Sequence, residues 1–124
     1  MCCMIYCFDL DGTLCNDTQG KYENALPFPE MVADINRLRS DGHRVIIFTA
    51  RGSGTGKDWR AITEQQLADW GVGYDQLILG KPPADVYVDD KALHVAGYRL
   101  ARFGLLDPST SPAISPPFLS KSEK

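Results

Sequence analysis

Four short apolar runs, spaced along the first 90 residues, each end in polar side chains capable of chemistry. Residues 4–8 run into Asp9-Leu10-Asp11-Gly12-Thr13 and residues 45–48 into Thr49-Ala50-Arg51. Residues 77–79 run into Gly80-Lys81-Pro82, and residues 86–88 into Asp89-Asp90. Continuous apolar runs of this length suit strands covered on both faces. Between the first two, Met31, Val32, Ile35 and Leu38 follow Pro29 at helical spacing, and Asp41-Gly42 supplies a stop. Between the second and third, the spacing predicts a helix over 58–70, with Trp59, Ile62, Leu67 and Trp70 near one face. Strand, helix, strand, helix, strand implies parallel strands joined by right-handed crossovers.

The expected fold is therefore α/β: a three-layer, Rossmann-like domain with a parallel sheet of four to five strands. Residues 93–95 are the candidate fifth strand, followed by a helical turn or two over 97–103. At 124 residues the chain supports one domain, placed at 1–106. The Pro- and Ser-rich stretch 107–124 reads as a tail with no core of its own. A net charge of −3 gives no basic field for gripping a phosphate backbone, which argues against nucleic acid as the main partner. No apolar stretch approaches a membrane span and no leader pattern is visible, so the expected location is the cytoplasm. Cys2, Cys3, Cys7 and Cys15 lack the paired spacing of a zinc site and read as reduced thiols.

If the strands are parallel, their C-terminal ends share one edge of the sheet, where open α/β sheets bind ligands. Carboxylates, a hydroxyl and an ammonium would converge there, which suits a divalent cation and a phosphoryl group. Each element is weak alone. Asp-Leu-Asp-Gly-Thr is also a turn signal, Asp89-Asp90 could be a solvated strand end, Thr49 strand filler, and Lys81 a surface lysine. Hard oxygen ligands point to Mg²⁺ rather than a softer metal.

Taken together, these motifs resemble the haloacid dehalogenase superfamily of aspartate-dependent phosphohydrolases. Asp9-Leu10-Asp11-Gly12-Thr13 matches the first motif, Thr49 the second, Lys81 the third and Asp89-Asp90 the fourth. The resemblance implies that Asp9 is the nucleophile that forms an aspartyl-phosphate, and that Asp11 is the general acid and base. It also implies that Thr49 and Lys81 hold phosphoryl oxygens. Mg²⁺ would be bound by Asp9, the Asp11 backbone carbonyl and Asp89, with Asp90 a second ligand or support. Both positions where larger members carry cap domains are short here, so the chain resembles the capless type. Specificity would then come from nearby loops, from another protomer of a homo-oligomer, or from a large substrate.

Tyr22, Asn24, Ala25 and Pro27, with the segments around Thr49 and Lys81, resemble small phosphatases of capsule and surface-polysaccharide biosynthesis. The expected activity is Mg²⁺-dependent hydrolysis of a sugar phosphate or related small metabolite. Thr13, Tyr22, Ala50, Arg51 and Lys91 are the candidate substrate-binding residues, Tyr22, Arg51 and Lys91 at the rim with Lys21; Lys57 reads as plain surface charge. A polynucleotide 3′-phosphatase is the alternative, from Arg51-Gly52-Ser53-Gly54-Thr55 followed by Asp58. A phosphoacceptor module of the receiver kind is excluded by motif order, because its acidic pair belongs to the first strand. A non-catalytic binding protein is disfavoured because no expected catalytic side chain is missing.

Overall fold

Three parallel strands, β1 (Ile5–Phe8), β2 (Arg44–Thr49) and β3 (Gln76–Leu79), form one sheet in the order β1-β2-β3. The computed structural model describes residues 3–104. The chain divides into two units, Met1–Ala84 and Asp85–Lys124. The sheet lies wholly in the first.

Helix α1 (Pro29–Ser40) starts where Pro29 pre-sets the first helical φ, and ends before Gly42, whose φ of 97° stops it. It buries Met31, Ile35 and Leu38 and packs on β2. Helix α2 (Arg60–Asp69) begins where the Asp58 side chain accepts the Arg60 N–H at 3.0 Å. Its buried face is Thr63 and Leu67. Ile62, expected on that face, is 40 % exposed. A hydroxyl replaces an aliphatic group in the packed stripe because Thr63 has a buried cation to hold, as described below.

The register pairs Phe8 with Ile47 and Ile47 with Leu77, so the segments after all three strands emerge at one edge. Leu10, Leu14, Met31, Ile35, Val45, Ile47 and Leu67 are wholly buried and form the core beneath that edge. An acidic latch fixes the opposite edge. Asp75 accepts the Val45 N–H at 2.8 Å and pairs with Arg39 at 2.9 Å, tying the start of β3 to β2 and α1.

Two strand expectations are corrected. Residues 4–8 are not covered on both faces: β1 is an edge strand, and Met4 and Ile5 are more than half exposed. Residues 86–88 and 93–95 are not strands, so the described residues hold three strands rather than four to five. Val88 is 94 % exposed, and among the described residues this short run enters no ladder.

The described part of the second unit is an irregular segment leading into α3 (Val95–Phe103). The His94 ring caps this helix by accepting the Ala96 N–H at 3.0 Å, and Gly104 closes it with a φ of 66°. Among the described residues no helix is long and apolar enough to cross a membrane. The stretch 107–124 lies outside the described residues.

Candidate active site

Immediately after Phe8 the chain makes a tight loop rather than continuing as a strand. Leu10 and Leu14 plunge into the core, and the Leu10 carbonyl accepts the N–H groups of Thr13, Leu14 and Cys15. Gly12 donates to the Cys15 carbonyl at 2.7 Å from a backbone with φ of 85°, a conformation that favours glycine. The loop holds Asp9 and Asp11 at the sheet edge in different surroundings.

Asp9 faces Lys81, whose Nζ lies 3.5 Å from Oδ1. Burial pushes the Asp9 carboxyl up from its ordinary value, and the Lys81 charge opposes that only in part. Lys81 is placed by its own backbone, which donates to the Thr49 carbonyl at 3.1 Å just beyond β3. Thr49 is buried, and its hydroxyl accepts the Arg51 N–H at 3.1 Å. Asp9 and Lys81 therefore face each other at the sheet edge, with the Lys81 backbone tied to that of Thr49.

Asp11 is gripped by Arg51. Nε donates to Oδ2 and Nη2 to Oδ1, both at 2.9 Å, a bidentate fork of the kind that fixes a carboxylate plane. Arg51 was expected at the rim, and here the structure corrects the sequence. Its side chain has no exposed surface and lies beneath the site. Nη1 donates to Thr63 Oγ1 at 3.0 Å and to Gln66 Oε1 at 2.7 Å, so α2 holds the guanidinium from below. Cys15 Sγ sits 3.6 Å from Asp11 Oδ1. Burial, reinforced by the Asp11 charge, pushes the thiol up to about 12, so it stays protonated as a donor.

The polar stretch after the first loop is a closed excursion. Asn16 donates to the Leu26 carbonyl, Leu26 donates back to the Asn16 side chain, and Phe28 donates to the Leu14 carbonyl. At its tip a short 3₁₀ turn, Tyr22–Asn24, sets the Tyr22 ring under the Arg51 guanidinium at 4.7 Å and edge-on to Trp59 at 4.8 Å. Gln66 ties this turn down by donating to the Tyr22 carbonyl at 2.7 Å. A cleft of about 400 Å³ opens here, lined by Tyr22, Ala50, Trp59, Pro83 and the glycine-rich connector 52–57. Lys57 lines it with Nζ 4.4 Å above the Trp59 ring, so it is more than scattered surface charge. Thr13 is half-buried in the loop after β1.

Thr63, Gln66, Trp59 and Cys15 were not singled out as site residues from the sequence. Only Trp59 carried a signal, as an aromatic just after the connector. Asp89, Asp90 and Lys91 lie in the second unit and are exposed. There the Lys91 N–H donates to Asp89 at 2.8 Å, which holds that carboxyl below its ordinary value, and Lys91 Nζ reaches Asp90 at 3.5 Å.

Among the described residues no cluster of three or more His, Cys, Asp or Glu could hold a metal ion by itself. The oxygen donors at the sheet edge still suit Mg²⁺, which commonly takes one or two carboxylates and fills the rest with water and substrate phosphate. Arg51 occupies both Asp11 side-chain oxygens, so the Asp11 donor would be its backbone carbonyl.

The chain matches no protein-family model and no curated protein. Its fold is shared with a crystal structure of a structural-genomics target from Vibrio cholerae, at 24 % identity and a TM-score of 0.68. That match covers 98 % of this chain and 99 % of the other. A chain of the Pnkp1/Rnl/Hen1 complex matches at 23 % identity with a TM-score of 0.51. That match covers 84 % of this chain and 34 % of the other, so this chain spans about a third of its length. These likenesses define an α/β class with a parallel sheet.

Proposed function

We propose that the chain is a phosphomonoesterase of the haloacid dehalogenase type, acting on a small phosphorylated metabolite. Sugar phosphates are the first class to assay. One observation carries the reading: Asp9 stands at a strand end with Lys81 3.5 Å away, and a second carboxylate, Asp11, is held in a different environment by Arg51. Two carboxylates in unlike surroundings can divide nucleophile from acid and base.

In this mechanism an Asp9 oxygen attacks phosphorus and the bond to the leaving oxygen breaks. That oxygen takes its proton from Asp11. Water then attacks the aspartyl-phosphate, giving a proton back to Asp11, and phosphate leaves with Asp9 restored. Splitting one displacement into two lowers each barrier. Lys81 and Thr49 orient phosphoryl oxygens, and the cleft beside Ala50 and Pro83 receives the leaving group. Mg²⁺, held by Asp9 and the Asp11 carbonyl, supplies charge neutralisation when bound. The sequence resemblance adds Asp89 and Asp90 to its ligands.

A polynucleotide 3′-phosphatase is the second reading, favoured by the aromatic lining of the cleft and by Lys57 at its wall, since bases stack on such surfaces. Phosphate release from a panel of sugar phosphates, nucleotides and a 3′-phosphorylated oligonucleotide decides between them. Asp9→Asn should abolish release from every active substrate. Undiminished turnover in that variant would end the nucleophile assignment.

A further inference from the structure

We infer that Arg51 is a positioning residue for Asp11: its bidentate fork fixes the plane in which that carboxylate is presented at the sheet edge. The inference rests on the phosphohydrolase reading above.

A guanidinium carries five N–H donors, and here each has a partner. Nε serves Asp11 Oδ2, and Nη1 serves Thr63 and Gln66. Nη2 serves Asp11 Oδ1 and reaches Cys15 Sγ at 4.0 Å. With its side chain wholly buried, no donor remains for a substrate.

Each Asp11 oxygen takes one guanidinium N–H at 2.9 Å, so the fork fixes the whole carboxylate, while the single Cys15 S–H lies 3.6 Å from both Asp11 Oδ1 and the Leu10 carbonyl. Lysine is a single point donor and cannot reproduce a fork that holds a plane. Loss of the fork would let the carboxylate rotate about its last torsion, which is broad and roughly two-fold.

A residue that acts through Asp11 has a kinetic signature a structural strut lacks. Expelling an alkoxide needs protonation, whereas nitrophenolate leaves without it. Arg51→Lys should therefore slow first-turnover cleavage of an alkyl phosphate by about 10²-fold, at the lower end of general acid–base contributions. Release of nitrophenolate in the first turnover from 4-nitrophenyl phosphate should be nearly unchanged. In an Asp11→Asn background, Arg51→Lys should cost nothing further, because groups acting as a unit are non-additive.

Should Arg51→Lys not fold, the double variant Thr63→Val/Gln66→Met keeps Arg51 and Asp11 but removes both anchors of Nη1. It should show the same alkyl-selective loss in weaker form. Equal losses on both substrates, full additivity with Asp11→Asn, or a double variant indistinguishable from the parent would overturn the inference. A parent protein that cleaves neither substrate would instead refute the phosphohydrolase reading.

Discussion

Asp9 and Arg51 are both charged and both partly or wholly withdrawn from water, yet their energetics run in opposite directions. Arg51 meets a partner at every donor, so its burial is satisfied. Asp9 has one ammonium at 3.5 Å and a carboxyl pushed up by burial. A carboxyl whose pKa rises on folding holds its proton more tightly in the folded state. Its stabilising contribution is present below the unfolded value of about 3.9 and is lost as pH rises through the folded one. At neutral pH the ionised Asp9 thus costs stability. Asp9→Asn should raise Tm in metal-free buffer while eliminating turnover, a trade common at active sites. A lowered Tm would show that the Lys81 pair outweighs the burial cost. The sequence announced Asp9, Thr49 and Lys81 because each sits just past an apolar run. It did not announce where Arg51 points. That depends on Asp11, far back in the chain, and on Thr63 and Gln66 along a helix face, a pairing no local spacing encodes.

Among the elements, the helices and the three paired strands were legible because periodicity and stop signals act locally, as at Pro29 and Gly42. The fourth strand was not, because an apolar run becomes a strand only where a neighbour supplies hydrogen bonds. Val86 to Val88 have none within the sheet. Two element-level devices are testable. The Asp75 latch holds β3 to β2, and its carboxyl lies below the ordinary value because of the Arg39 hydrogen bond and then the Val45 N–H. Its contribution is present above the unfolded value and lost as pH falls through the folded one. Asp75→Asn should therefore melt below the parent at neutral pH, with the gap closing in strong acid. A gap that stays constant across urea melts at falling pH would assign the latch no electrostatic role. The connector into α2 is the second device. Gly52 has a φ of 81°, and a Cβ there would run into the Lys57 carbonyl and crowd Trp59. Gly52→Ala should destabilise by more than ~1 kcal/mol and raise KM by displacing the cleft wall. Gly54, with open space around it, should accept alanine with little change in either. Equal behaviour of the two variants in melts and steady-state kinetics would contradict this.

At the scale of the whole molecule, charge balance sets the final requirement. The chain is net acidic at −3, so no long-range field draws a phosphate in. Within the first unit Lys81 faces Asp9 and Arg51 is spent on Asp11, so neither cation is in surplus beside the nucleophile. On the proposed phosphohydrolase reading, a phosphate monoester would arrive with about −1.5 to −2 charge at neutral pH, and an anionic Asp9 would have to approach it. Arg51 offers no relief, since its donors are spent and its charge is committed to Asp11. Lys81 alone cannot neutralise both the nucleophile and the incoming dianion. The deficit is that of one divalent cation, and the oxygen donors at the sheet edge are those Mg²⁺ accepts. Turnover should therefore rise from zero with added Mg²⁺ and vanish in EDTA. Ca²⁺ should compete for the ion's place yet support little turnover, because its longer and looser coordination leaves phosphate and carboxylate poorly aligned. Phosphate release titrated against each ion checks this. Full activity in EDTA would mean that Lys81 carries the neutralisation unaided, and Lys81→Ala would then remove all of it.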